Sequence, residues 1–152
     1  MSLQETIEAE LHTAMKARDA LRTSALRMVI AAFKNRAVAD GLGPQGRLDD
    51  AVVQQLLSTE VKRRKEAAAA FRSAGHEDRA ASEEQEAAVY EAYLPSPLPD
   101  DELAALVAEV VAEAGATSMK DMGTVMRTVL ERAAGRADGS RVSPLVKAAL
   151  GG

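Results

Sequence analysis

The chain has 152 residues and a formal net charge of −4, and hydrophobic residues make up 47% of it but aromatic residues only 3%. This length suits one domain or two very small ones. Cysteine is absent and there are two histidines, His12 and His76, so disulfides, thiolate nucleophiles and cysteine-ligated metals are excluded and we expect no metal site or cofactor. A core of Ala, Val, Leu and Met favours packed helices over a sheet.

The start of the chain carries carboxylates and no unbroken apolar run, which indicates that no secretory signal is present. No segment approaches the roughly 20 apolar residues of a membrane span. We therefore expect a cytoplasmic protein that has no membrane partner.

Four helices are predicted in the first part of the chain. Ser2 and Glu5 have the spacing of a capping box, and Asp19 can cap the second helix. The second helix is apolar over more than half of its circumference, which predicts a central position with neighbours on two sides. From the apolar spacing, the four helices are expected to cover about residues 3–17, 20–39, 50–74 and 77–93.

Three prolines, Pro95, Pro97 and Pro99, remove amide donors and interrupt the helical pattern. Three more helices are predicted after them, with Gly115 ending the first and Ser118 with Asp121 capping the second. The predicted fold is all-α: an N-terminal four-helix region joined by a Pro-rich link to a small three-helix domain. The predicted domain bounds are 1–94, 95–99 for the linker, and 100–152.

The basic residues are unevenly distributed. Residues 15–36 contain six basic residues and one acidic residue, a local net charge of +5. Arg27 and Lys34 lie seven residues apart, hence on one helix face, where they could bind an external anion or pair with the acidic fourth helix. The run Lys62 to Lys65 is interpreted as a solvated face whose charges pair along its own helix, because acids lie four residues from Arg64 and from Lys62.

The last 38 residues carry a net charge of +3, directly after a predicted fifth helix that carries five acids. The basic residues of this part either serve solubility or contact phosphate; they are Lys120, Arg127, Arg132, Arg136 and Arg141. Gly123 lies inside a helical pattern, where glycine costs about 1 kcal/mol relative to alanine. Close helix crossing explains it better than approach of a ligand, because Met119, Met122 and Met126 are interpreted as core residues around it.

No catalytic residue is predicted. The chain shows no arrangement of a nucleophile, a base and an orienting group, and neither a phosphate-binding loop nor a dinucleotide fingerprint. We expect no chemistry from this polypeptide alone.

Several motifs, in order along nearly the whole chain, resemble YqeY-like proteins of the GatB/YqeY family. They are Leu-Arg-Met at 26–28, Glu-Val-Lys-Arg-Arg at 60–64, Tyr-Leu-Pro at 93–95, the segment from Ser118 to Met126, and Gly-Arg-Ala-Asp-Gly at 135–139. The C-terminal part resembles the tail domain of the B subunit of glutamine-dependent aspartyl/glutamyl-tRNA amidotransferase. Relatives generally place Ser or Thr where this chain has Pro99, so Asp100 is expected to cap the fifth helix instead.

The resemblance implies a non-catalytic accessory that helps to hold tRNA, associated with carbon–nitrogen ligase activity that uses glutamine as amido-nitrogen donor. The candidate RNA-binding residues are Lys120, Arg127, Arg136, Arg141, Arg27 and Lys34. Few aromatic residues argue against stacking on unpaired bases, so a structured RNA recognised by phosphate and shape is expected. The alternative is a helical protein–protein interaction module in which the C-terminal part docks an acidic partner or an amidotransferase subunit.

Overall fold

The computed structural model describes residues 1–151, which form seven α-helices, one 3₁₀ helix and, within that range, no strand. The α-helices are α1 (Leu3–Lys16), α2 (Ala20–Ala39), α3 (Asp50–Ser73), α4 (Glu77–Glu91), α5 (Asp100–Ala114), α6 (Met122–Ala133) and α7 (Gly139–Ala149). The 3₁₀ helix, Met119–Asp121, precedes α6. The all-α prediction is confirmed. None of the helices within residues 1–151 has the length and hydropathy that crossing a membrane requires.

The chain divides into two compact units, which we call the N-terminal unit (Met1–Leu94, α1 to α4) and the C-terminal unit (from Pro95, α5 to α7). The proline segment, 95–99, is bonded within the C-terminal unit. The Leu98 amide donates to the Arg136 carbonyl oxygen at 2.8 Å, and Arg136 Nε donates to the Ser96 carbonyl oxygen at 2.8 Å. Its role as a link between domains stays a prediction.

Helix α2 is central in the N-terminal unit, as predicted, and packs against α1, α3 and α4. Six of its residues are buried: Ala25, Leu26, Val29, Ile30, Phe33 and Ala37. The fully buried Tyr90 of α4 fills the space beside them, and its hydroxyl donates to the Ala25 carbonyl oxygen at 2.7 Å. All four aromatic residues of the chain lie in this unit, namely Phe33, Phe71, Tyr90 and Tyr93.

The first turn of α1 is tied to the segment that leads into α3. Ser2 and Glu5 form the predicted capping box. The buried Gln4 accepts a hydrogen bond from the Leu48 amide at 2.9 Å, and Asp50 accepts one from the Leu3 amide at 2.9 Å. Residues more than 40 positions apart therefore fix the start of this helix.

The C-terminal unit packs around a small aliphatic core. The buried residues of this cluster are Leu103, Val107, Val110, Val125, Val129, Val142, Val146 and Leu150. Helix α5 ends at Gly115, which has a positive φ of 62°, as predicted. The expectation that Asp100 caps α5 is wrong, because Asp100 is already helical and Pro99 occupies the N-cap position without a side-chain bond.

Asp138 caps α7. Its Oδ1 accepts hydrogen bonds from the Arg141 amide at 3.0 Å and the Ser140 hydroxyl at 2.6 Å. Partial burial raises the pKa of Asp138, but the bonds from Ser140 and Arg141 outweigh it, so the net pKa lies below its ordinary value of 3.8. Because the folded state lowers this pKa, the ionised carboxylate stabilises the fold above about pH 3.8, and that stabilisation is lost as the pH falls through the folded-state pKa.

We expect Asp138→Asn, which can still cap but cannot titrate, to lose the part of the acid sensitivity that Asp138 contributes. Asp138→Ala should cost about 1 kcal/mol at neutral pH, because it removes the cap. Urea unfolding followed by far-UV circular dichroism from about pH 6 to pH 2 measures both effects, since the other carboxyl groups are common to wild type and variants. A stability difference between wild type and Asp138→Asn that does not change with pH would contradict the assignment.

Candidate functional site

The loop between α5 and α6 is ordered by the Asp121 side chain. Its Oδ2 accepts hydrogen bonds from the Thr117 amide at 3.1 Å and the Ser118 amide at 3.4 Å. The predicted pairing of Ser118 with Asp121 is therefore confirmed, although the turn it caps is the 3₁₀ helix that leads into α6. This arrangement fixes the orientation of the backbone on which Lys120 is carried.

An exposed polar face runs along the start of α6, and we call it the α6 face: Lys120, Gly123, Thr124 and Arg127. Gly123, Thr124 and Arg127 are spaced by three and four positions within α6, which places them on one side of this helix. Lys120 precedes them in the 3₁₀ helix. Val125, Val129 and Ala133 on the opposite side are buried in the core. Sequence analysis missed Thr124, although its spacing from Lys120 and Arg127 could have indicated it.

Gly123 lies in open space. A Cβ atom added to it would have no neighbour within 4 Å, so the interpretation of Gly123 as a close helix crossing is wrong. Met119 is likewise 43% exposed and is not core filler, whereas Met122 and Met126 do pack against the core. The α6 face therefore has an open position at Gly123, which lies between its two cationic residues in the chain.

The cations of the C-terminal unit differ in their partners. Arg132 pairs with Glu113 of α5 and lies 4.0 Å from Glu109, and its hydrogen bond lowers the pKa of Glu113. Among residues 1–151, no carboxylate oxygen lies within 4.0 Å of Lys120 or Arg127. Both side chains are exposed, so their charges are available to an external anion.

Two further candidates, Arg136 and Arg141, are half-buried and hold the proline segment. Besides the bond from Arg136 to Ser96, Arg141 donates to the Leu98 carbonyl oxygen at 2.7 Å and to Asp100 Oδ1 at 3.0 Å. Their guanidinium groups therefore have structural partners, and a role in RNA binding stays a prediction for them.

Arg27 and Lys34 lie on the exposed side of α2. The alternative that they pair with the acidic α4 is wrong, because within residues 1–151 neither has a carboxylate oxygen within 4.0 Å. The acid near Lys34 is Glu8, whose carboxylate is bound by Arg47 at 2.6 Å. Burial raises the pKa of Glu8, but hydrogen bonds from Arg47 and Gln4 and the charges of Arg47 and Lys34 lower it overall.

Two residues of the basic run at 62–65, Arg64 and Lys65, pair with acids of α4, whereas Arg63 pairs with Glu60 of its own helix at 3.1 Å. Arg64 lies 4.0 Å from Glu60, which confirms one of the two predicted pairs along α3, but it also lies 3.3 Å from Glu83 and 3.7 Å from Glu86. Lys65 pairs with Glu91 at 2.7 Å. The ion pairs of Arg64 and Lys65 therefore connect α3 to α4.

No group of three or more acidic or histidine side chains within residues 1–151 could hold a metal ion. The polar cluster of Arg22, Glu10 and Tyr93 joins α1, α2 and the segment after α4 through hydrogen bonds. Burial, and then the bond to Glu10, raises the pKa of Tyr93, so its hydroxyl stays protonated at neutral pH.

These features define an all-α protein of two helical units with exposed cationic helix faces. The sequence model of the family described as Yqey-like protein matches residues 4–150, nearly the whole chain. The chain therefore belongs to this family, which confirms the resemblance drawn from its motifs. No curated protein matches the chain.

Proposed function

We propose that the protein is a non-catalytic accessory that binds structured RNA, tRNA in the first instance, through the α6 face. The observation that carries this proposal is the pair Lys120 and Arg127, two exposed cations without a carboxylate partner in residues 1–151, on either side of the uncovered Gly123. The missing side chain at Gly123 leaves room for a phosphate–sugar backbone to approach the helix. The resemblance of the C-terminal part to the tail domain of the amidotransferase B subunit supports an association with glutamine-dependent tRNA amidotransferase.

The composition of the C-terminal unit favours phosphate contacts over base recognition. The unit contains no aromatic residue, so it has no ring on which an unpaired base could stack. Lysine and arginine contacts to phosphate are sequence-independent and position the RNA by shape. We therefore expect weak discrimination between tRNA species by this chain alone.

The test is binding of purified protein to total tRNA across a salt titration, comparing wild type with Lys120→Glu/Arg127→Glu. Because each phosphate contact releases counterions, binding should weaken as salt rises. In the double variant, the slope of the logarithm of the association constant against the logarithm of the salt concentration should become less negative by about 1.5 to 2. The control is Lys62→Glu/Lys147→Glu, which makes the same change in net charge at two exposed lysines that, like Lys120 and Arg127, have no carboxylate oxygen within 4.0 Å among residues 1–151.

Folding of each variant is checked by circular dichroism. A folded Lys120→Glu/Arg127→Glu variant that binds tRNA like wild type would remove the α6 face from the proposal. A wild type that fails to bind tRNA even at low salt would refute RNA binding by the isolated protein.

A further inference from the structure

A second surface, on α2 of the N-terminal unit, combines exposed apolar side chains with cations. We call it the α2 face: Arg27, Met28, Ala31, Lys34 and Val38. Met28 is 40% exposed and Val38 56% exposed, although the buried side of the same helix already supplies the core. Leu42, which follows the helix, is 53% exposed. Helix α2 therefore carries more apolar side chains than the N-terminal unit buries.

The α2 face is positively charged along one edge. Arg27 and Lys34 are two helical turns apart and, within residues 1–151, have no carboxylate oxygen within 4.0 Å. Arg27 instead contacts the sulfur of Met15 at 3.8 Å, and this methionine, 44% exposed, extends the apolar surface onto α1. Glu8, the acid near Lys34, is already bound by Arg47.

The shape and charge of this surface select its occupant. From Met28 to Val38 the apolar residues extend about 15 Å along the helix, which matches about three turns of a partner helix laid beside it. Acidic residues on that partner would meet Arg27 and Lys34, neither of which has a carboxylate oxygen within 4.0 Å among residues 1–151. A symmetric contact with a second copy would instead bring the same two cations together across the interface, which is repulsive.

We infer that the α2 face docks an acidic amphipathic helix of a protein partner. This inference is independent of RNA binding by the α6 face. It assigns Met28 and Val38 as the apolar contacts and Arg27 and Lys34 as the groups that select for acidic sequences.

Two designed helical peptides of the same length test the inference. Both carry leucines at positions i, i+3, i+4 and i+7, and one has glutamate where the other has lysine. We expect the glutamate peptide to bind the full-length protein and to shift backbone NMR resonances of residues 27–38, and the lysine peptide not to bind. The substitutions that test these contacts lie at exposed positions, so we expect the variants to fold.

Met28→Ser should weaken glutamate-peptide binding by about fivefold to tenfold, because the methionine is already partly buried before binding. The matched control is Met119→Ser, since Met119 is 43% exposed in the C-terminal unit and should have no effect. Arg27→Glu/Lys34→Glu should reverse the preference, so that the lysine peptide binds better than the glutamate peptide.

Equal binding of both peptides, no binding of the glutamate peptide, or unchanged binding by Met28→Ser would overturn the inference. So would concentration-dependent dimerisation that Met28→Ser abolishes, since it would assign the face to a second copy. Binding to phosphatidylserine vesicles through the α2 face would assign it to a membrane surface. Loss of tRNA binding in Arg27→Glu/Lys34→Glu but not in Met28→Ser would assign it to RNA.

Discussion

The variant Tyr90→Ala is expected to lose about 3 to 5 kcal/mol of unfolding free energy in the N-terminal unit, the largest effect of any change considered for the fold. Tyr90 is fully buried between α4 and α2, and alanine would leave a cavity where the ring packs. Its hydroxyl also donates to the Ala25 carbonyl oxygen, so truncation removes a buried hydrogen bond as well. Burial raises the pKa of this hydroxyl, which therefore remains a donor throughout the neutral range.

The matched variant Tyr90→Phe separates the ring from the hydroxyl. It keeps the packing and removes one hydrogen bond, for which we expect a loss of about 1 kcal/mol. Urea unfolding can be followed by tyrosine fluorescence, because Tyr93 remains in the same unit and the chain has no tryptophan. Equal stability of the Ala and Phe variants would show that the ring contributes little to the core.

The double variant Arg136→Gln/Arg141→Gln should release the proline segment of the C-terminal unit. The two guanidinium groups hold the Ser96 and Leu98 carbonyl oxygens, and Leu98 in turn donates its amide to the backbone of Arg136. Charge-assisted bonds at this partly exposed site are together worth about 2 to 3 kcal/mol of local opening free energy. Hydrogen exchange at the Leu98 amide should therefore accelerate by about 30-fold to 160-fold, as measured by NMR.

Arg132→Gln is the control for that experiment. Arg132 pairs with acids of α5 and does not contact the proline segment, so exchange at Leu98 should stay as in wild type. The same protein samples can be titrated with tRNA. A double variant that exchanges normally at Leu98 but loses tRNA binding would show that Arg136 and Arg141 act on RNA and that their backbone bonds contribute little.

The helices of the N-terminal unit were predictable because their signals are local. Ser2 with Glu5 and the apolar spacing of α2 depend on neighbours within a few residues. Helix α4 ends at Glu91, two residues before the predicted end, because no residue there marks a stop as sharply as glycine does. The central position of α2 followed from the width of its apolar arc.

The candidate surfaces were less predictable, since they depend on which side chains meet in space. A glycine within a helical pattern has the same spacing whether it faces a neighbouring helix or open space, and Gly123 faces open space. Likewise, the sequence cannot distinguish Arg141, which binds a carbonyl oxygen 43 residues away, from Arg127, which has no such partner among residues 1–151. Spacing along the sequence could indicate the residues of the α6 face, but not whether their side chains are free of partners within the described residues.

The attachment of the α1 start to residues 47–50 has a consequence for synthesis on the ribosome. When α1 emerges, the groups that bond Gln4 and Leu3 have not yet been made, and Tyr90 is still further along the chain. A nascent chain that stops before α4 lacks the part of the cover over the apolar side of α2 that α4 and its Tyr90 supply. We therefore expect the N-terminal unit to acquire its native structure only after about the first 94 residues have left the exit tunnel, which makes the interval between α2 and α4 the period when a chaperone is most needed.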